Sequence, residues 1–218
     1  MKRPTFSPEV IANQKHLAER EAHLRRFGYD SQAAIHFVLA QALPLAGAVL
    51  EIGTGKGRFL VELARHAAAL TTVDIAAEEQ QSARLNARYA GVEKKIRFVL
   101  RDAARLPWRA ARFDAAITMN AMHHITHFEQ VLEEMLRVVK PGGKIVLADS
   151  QHDRDRAGCP RGFRIIAREH EAEGKKHSRE RYDFRALRQR LRKLGLATRL
   201  CKGCNQEVLV GWLPSTTA

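Results

Sequence analysis

The sequence predicts an α/β fold, a doubly wound and mostly parallel sheet with helices on both faces. Two observations predict it. Five short β runs between residues 48 and 149 are set apart, for the most part, by segments of helical length, and strands joined in that way lie parallel and are covered on both sides. Glycines follow the first of these runs and acids stand near the ends of the second and third, at the carboxyl ends where open α/β sheets hold their ligands.

Residues 8–26 are charged and helix-favouring, with Ile11, Leu17 and Leu24 among polar neighbours and Ser7-Pro8 suited to a helix start. Gly28 breaks that segment, and a second helix over 31–43 is stopped by Pro44. AVLEI (48–52) is a β run ending in glycines, RFLVELARHA (58–67) has helical apolar spacing, and LTTVDI (70–75) is a second strand followed by a polar helix through Ala90. IRFVLRD (96–102) and FDAAITMN (113–120) are the third and fourth strands. FEQVLEEMLRVV (128–139) sets Val131, Leu132, Met135, Leu136 and Val139 at helical spacing before Pro141-Gly142-Gly143 breaks the helix, and KIVLAD (144–149) is the fifth strand. In the tail a short helix is expected over 163–170. FRALRQRLRKLG (184–195) is a helix with a Leu187, Leu191 and Leu194 stripe and Gly195 as its cap. ATRL (197–200) and EVLVGW (207–212) are strands joined by CKGCNQ. Residues 1–218 thus form one expected domain, with a helical cap (1–47), a core (48–150) and a basic insertion with a helix and hairpin that completes the sheet (151–218).

The 218 residues are 45% hydrophobic and 28% charged, enough apolar material for a packed core and too much for wholesale disorder. No apolar run approaches the roughly 20 residues needed to cross a bilayer, so no membrane partner is expected. The basic amino terminus lacks the apolar stretch of a secretory signal. Three cysteines, an odd number, fit a reducing cytoplasm better than a disulfide scaffold. The net charge is +13, and residues 151–218, with 16 Lys/Arg against 8 Asp/Glu, hold +8 of it. Such a surface attracts polyanions and anionic substrates. Aromatic residues make up only 6% and no aromatic-interleaved RNA platform is present, so nucleic acid is not the favoured partner.

The strongest chemical signal is VLEIGTGKGRF (49–59), set between a strand and a helix. Gly53, Gly55 and Gly57 allow a tight turn and let the backbone approach a ligand, and the helix that follows offers free N–H groups. A dinucleotide fingerprint counted from Gly53 needs a third glycine where Arg58 stands. The pattern is instead Glu51-x-Gly53-x-Gly55-x-Gly57.

On these residues the chain resembles the class I S-adenosylmethionine-dependent methyltransferases, in particular their small-molecule branch, the type 11 family. The resemblance runs over about residues 45–150 and carries three further matches in order. It implies a Rossmann-like sheet of seven strands, mostly parallel, with the last strand antiparallel. It implies S-adenosylmethionine as cofactor, S-adenosylhomocysteine as product and a small-molecule acceptor, with an anionic acceptor favoured by the charge. Glu51, Ile52, Gly53, Thr54, Gly55 and Gly57 match the loop that holds the aminocarboxypropyl end and ribose. Asp74, at the end of the second strand and 23 residues after Glu51, matches the acid that takes the ribose diol, with Ile75 beside it as pocket wall. Asp102 and Ala103 match the adenine-reading pair. Asn120 to His124 border the transferable methyl group, and His123 is the candidate base. The NAMHH stretch is not the proline-rich NPPY type of nucleobase amino-methylases. His16, His23, Phe27 and Tyr29 are further pocket candidates without assigned roles.

Methyl transfer from a sulfonium needs little covalent help, since positioning and desolvation can supply most of the acceleration. Cys201-x-x-Cys204 is half of a structural zinc site, and Cys159, His152 and His177 have no recognised ligand spacing; no metal is expected. Three other readings compete: an RNA methyltransferase using the basic tail, a non-catalytic cofactor-binding protein, and a dehydrogenase on the same fold.

Overall fold

The computed structural model describes residues 5–26, 28–150 and 182–215. The helix expected over 163–170 lies outside them, as do Phe27, His152, Cys159 and His177. Seven strands form one sheet: β1 (Ala48–Ile52), β2 (Ala69–Asp74), β3 (Ile96–Leu100), β4 (Phe113–Met119), β5 (Val139–Ser150), β6 (Ala197–Gly203) and β7 (Gln206–Trp212). Their order is β3-β2-β1-β4-β5-β7-β6. The first five are parallel neighbours, while β7 runs antiparallel to both β5 and β6. This is the expected mostly parallel sheet with an antiparallel last strand.

Among the described residues six α-helices accompany it: α1 (Pro8–Arg26), α2 (Ser31–Ala42), α3 (Arg58–His66), α4 (Ala77–Tyr89), α5 (Phe128–Val138) and α6 (Phe184–Lys193). Apolar side chains of α2, α3 and α4 pack one face of the sheet together with Val49, Ala115, Ile117, Val146 and Val208. Those of α5 and α6 pack the other, with Leu50, Ala116, Ile145, Leu147 and Leu209. Residues that alternate along one strand thus feed two separate cores, which is why the central strands read as continuous apolar runs.

The polar helix α1 lies against α4. Ser82 Oγ donates to Asn13 Oδ1 at 2.7 Å and Gln14 Nε2 donates to Asn86 Oδ1 at 3.0 Å, while Leu17 and Leu24 are buried. Its carboxyl end closes with Gly28 N–H on the Arg25 carbonyl and Tyr29 N–H on the Leu24 carbonyl. Asp30 caps α2 through Ala33 N–H at 3.0 Å.

Three local expectations are corrected. The fifth strand starts at Val139 rather than at residue 144, because Val139 already pairs with Phe113; Pro141-Gly142-Gly143, with Gly142 left-handed at φ 74°, forms an irregularity before Lys144 pairs with Ala115. The β6–β7 connection is the two-residue turn Cys204-Asn205 rather than a six-residue link. Cys204 (φ 47°) and Asn205 (φ 60°) both adopt the left-handed conformation that matches strand twist in a tight hairpin. Leu194 lies just past the end of α6 and is 53% exposed, so only Leu187 and Leu191 of its stripe are buried.

Gln206, at the start of β7, is 2% exposed, and both polar atoms of its side chain lack a hydrogen-bond partner. A buried unpaired amide costs about 1–3 kcal/mol. Gln206→Met, close to it in volume, is therefore expected to raise the urea midpoint of unfolding. A lowered midpoint would mean that the amide does have polar work in the fold.

Candidate active site

The carboxyl ends of β1, β2, β4 and β5, together with the loop after β3, open into a cleft of about 1220 Å³. Its floor is the β1–α3 turn. Gly53 has φ +83°, and a Cβ there would sit 2.4 Å from the Cβ of Ala121. Gly57 has φ +75°, and its Cβ would meet the Ala83 backbone at 2.8 Å. Both positions therefore require glycine: one lets the loop after β4 close against the turn, the other lets α3 meet α4. Gly55, by contrast, has open space where a side chain would project.

Asp74 ties this turn to the tip of β2. Its Oδ2 accepts Gly55 N–H and its Oδ1 accepts Ala76 N–H, each at 2.9 Å. The carboxylate is thus fixed by backbone donors, and each oxygen keeps a lone pair for a ligand. Asp102 Oδ1 accepts Ala104 N–H at 2.9 Å, which points the start of the loop after β3 at the same cleft. Ile75 is 75% exposed although it belongs to the cleft wall. Ile52 and Ala103 also border the cleft, but their side chains are buried in the core beneath.

Glu51 lies under the glycine turn, 1% exposed. Thr72 Oγ1 donates to its Oε2 at 2.5 Å and stands 2.7 Å from Thr54 Oγ1, forming a buried polar chain. Burial pushes the Glu51 carboxyl from an ordinary 4.5 up to about 8, the Thr72 hydroxyl pulling it back and the Asp74 charge adding to the rise.

On the opposite wall Asn120, left-handed at φ 53°, ends the run of β4, and its buried Oδ1 has no hydrogen-bond partner. His123 follows in a 3-10 turn, Met122–His124. Its Nδ1 lies 2.8 Å from Asp149 Oδ1, and its backbone N–H donates to Asp149 Oδ2 at 3.1 Å. Asp149, 3% exposed, is near the end of β5. With the carboxylate ionised, Nδ1–H is the donor and the basic lone pair falls on Nε2. Tyr29 also lines the cleft, but burial raises its phenol to about 12, an interaction with Asn120 opposing and the Asp149 and Asp30 charges adding. It stays protonated at neutral pH.

All the residues predicted from sequence, Glu51, Ile52, Gly53, Thr54, Gly55, Gly57, Asp74, Ile75, Asp102, Ala103, Asn120 and His123, therefore border one cleft. Of the unassigned pocket candidates Tyr29 lines it, whereas His16 and His23 do not; His16 Nε2 lies 3.4 Å from Nζ of the cleft residue Lys56. Sequence reasoning missed Asp149, whose available signal was an acid at the carboxyl end of a strand. It also missed Arg20 and Arg58 in the wall. Among the described residues no group of three or more His, Cys, Asp or Glu side chains could hold a metal ion.

A mostly parallel sheet of seven strands, whose ligand cleft opens over a glycine turn, defines the class I methyltransferase fold. A solved S-adenosylmethionine-dependent methyltransferase from Aquifex aeolicus shares it, with a TM-score of 0.64 at 18% identity over 96% of this chain and 100% of that one. Residues 50–147, a little under half of the chain, match the methyltransferase domain family. The chain is 30% identical to the sterol 4-C-methyltransferase strm-1 of Caenorhabditis elegans over 58% of this chain and 40% of that one. It is also 30% identical to the norajmaline N-methyltransferase of Rauvolfia serpentina, over 56% of this chain and 46% of that one. The chain thus spans less than half the length of these curated relatives.

Because the folded Glu51 keeps a proton that the unfolded chain gives up, its contribution to stability is full below about pH 4.5 and falls as the pH rises through about 8. Glu51→Gln, which cannot ionise, is expected to flatten that decline when urea midpoints are compared across this window. An unchanged decline would contradict the buried, protonated state.

Proposed function

We propose that the protein transfers the methyl group of S-adenosylmethionine to a small-molecule acceptor. The observation that carries this reading is a turn free of side chains at the tip of β1, flanked by Asp74 and Asp102, that faces a His123–Asp149 pair across the same cleft. The residues suit the cofactor. Gly55 leaves space over the turn, Asp74 has free lone pairs for a ribose diol, the bare Ile75 side chain suits a purine face, and Asp102 with the Ala103 backbone suits its edge. When bound, S-adenosylmethionine supplies an electrophilic methyl group that needs no further activation.

The protein's own part is to bind, orient and deprotonate. His123 Nε2 takes the proton of an acceptor hydroxyl or ammonium group, freeing the lone pair that attacks the methyl carbon, and Asp149 holds the ring in the tautomer that allows it. Tyr29, protonated at neutral pH, serves as a hydrogen-bond donor and not as the base. The size of the cleft admits an acceptor beside the nucleoside, and the +13 charge favours an anionic one by steering its approach. The odd cysteine count supports a cytoplasmic setting.

A small molecule is favoured over RNA as acceptor in that part of the basic face of α6 is held by the protein itself. Arg190 pairs with Glu129 and Glu133, and Arg188 and Arg192 reach Thr198 Oγ1 at 3.4 and 3.0 Å.

Release of S-adenosylhomocysteine with a panel of hydroxyl, amine and carboxylate acceptors tests the activity. Binding of the cofactor without transfer to any acceptor class would favour a non-catalytic role. With an accepted substrate, His123→Ala is expected to lower kcat by about 10²–10⁴-fold, and an unchanged kcat would remove His123 as the base. Asp74→Ala is expected to weaken cofactor binding by about 1–3 kcal/mol in calorimetry, and unchanged affinity in a folded variant would defeat the ribose assignment.

A further inference from the structure

Glu207, the second residue of β7, is a buried acid to which the proposed mechanism gives no role. It is 4% exposed, and its register partners are Asp149 of β5 on one side and Lys202 of β6 on the other. Side chains in register across antiparallel strands stand on the same face, with Cβ atoms about 4.5–5.5 Å apart. Lys202 Nζ lies 2.5 Å from Glu207 Oε1, and Asp149 Oδ1 lies 2.8 Å from His123 Nδ1. Lys202, Glu207, Asp149 and His123 thus form one row from the edge strand β6 to the cleft.

Charge along that row is uneven. Acids directly opposite one another repel, and a buried carboxylate is costly unless cations or donors meet it. Lys202, whose side chain is about half exposed, answers one of the two. Among the described residues the row therefore carries one excess negative charge while His123 is neutral, and it is balanced when His123 is a cation. Groups that face the imidazole from other directions add no negative charge. The His124 ring stands 4.1 Å away between centroids, and the Tyr29 phenol is protonated.

The proposed reaction makes that cation. The acceptor's proton moves to Nε2 while Nδ1–H stays on Asp149, so the ring gains one positive charge. We propose that Glu207 is a positioning residue for this step, acting through Asp149 to steady the charge that His123 acquires. Lys202 works in the opposite sense, offsetting Glu207 in the resting protein so that the ring is free to take a proton. The assignment rests on the proposed use of His123 as the base, and it makes the β6–β7 hairpin part of the catalytic apparatus.

Imidazole resonances of the full chain, followed by NMR across the range in which histidine titrates, test this without any acceptor. His123 is identified by the resonance that disappears in His123→Ala. Glu207→Gln, which keeps the size of the side chain, is expected to lower the pH midpoint of His123 by about half a unit to one unit. Lys202→Met is expected to raise it by less, since solvent and salt screen that charge. A midpoint that stays put in folded Glu207→Gln protein, or moves the same way in both variants, would overturn the role of Glu207. Should Glu207→Gln fail to fold, Lys202→Met decides alone, and an unmoved midpoint there overturns the row. Opposite shifts as expected, but with wild-type kcat in His123→Ala on an accepted substrate, would instead overturn the base reading and the catalytic role of the row with it.

Discussion

At the tip of β1 the chain turns without side chains because there is no room for them. Ala121 closes on Gly53 from the loop after β4, and Ala83 of α4 closes on Gly57. The first contact brings Asn120 and His123 to face the glycine turn, and the second sets the start of α3, hence Arg58, at the rim of the cleft. Asp74 then pins the turn to β2 by accepting Gly55 N–H. The cleft is therefore the space left over when three loops are drawn together around a backbone with no Cβ atoms to hold them apart.

Charge is distributed around that space in a way that separates the roles of the acids. Glu51 is buried below the turn, bonded only to hydroxyl groups in the Thr72–Thr54 chain, and keeps its proton. Asp149 is just as buried, yet it meets two N–H donors of His123 and a third from Ser150 at 2.8 Å. The two carboxyl groups thus have similar burial and different partners, so one is a structural hydrogen-bonding group and the other orients an imidazole. Asp74 and Asp102 lie at the mouth, where their oxygens stay open to a ligand.

Much of this was legible in the sequence because the fold writes it into local patterns. Strand tips carry the ligand residues in an open α/β sheet, so finding the runs that end at Ile52 and Asp74 also located the cleft. What was not legible depended on register and on distant packing. Asp149 becomes a partner of His123 only through the pairing of β4 with β5, which no local spacing reveals. Arg20 reaches the wall because α1 crosses α4 through Asn13 and Gln14, a contact with no periodic signature. The continuation of β5 through Pro141-Gly142-Gly143 was hidden because the dipeptides that stop a helix also allow a bulged strand. The tight Cys204-Asn205 turn was hidden because cysteine is an unusual occupant of a left-handed position.

The account stands or falls on what fills the cleft. A crystal structure of the full chain grown with S-adenosylhomocysteine tests it most directly. The account predicts the sugar on Asp74, the base between Ile75 and Asp102, and the sulfur facing Asn120 and His123. A cleft without that ligand, or a nucleoside bound elsewhere on the protein, would contradict it.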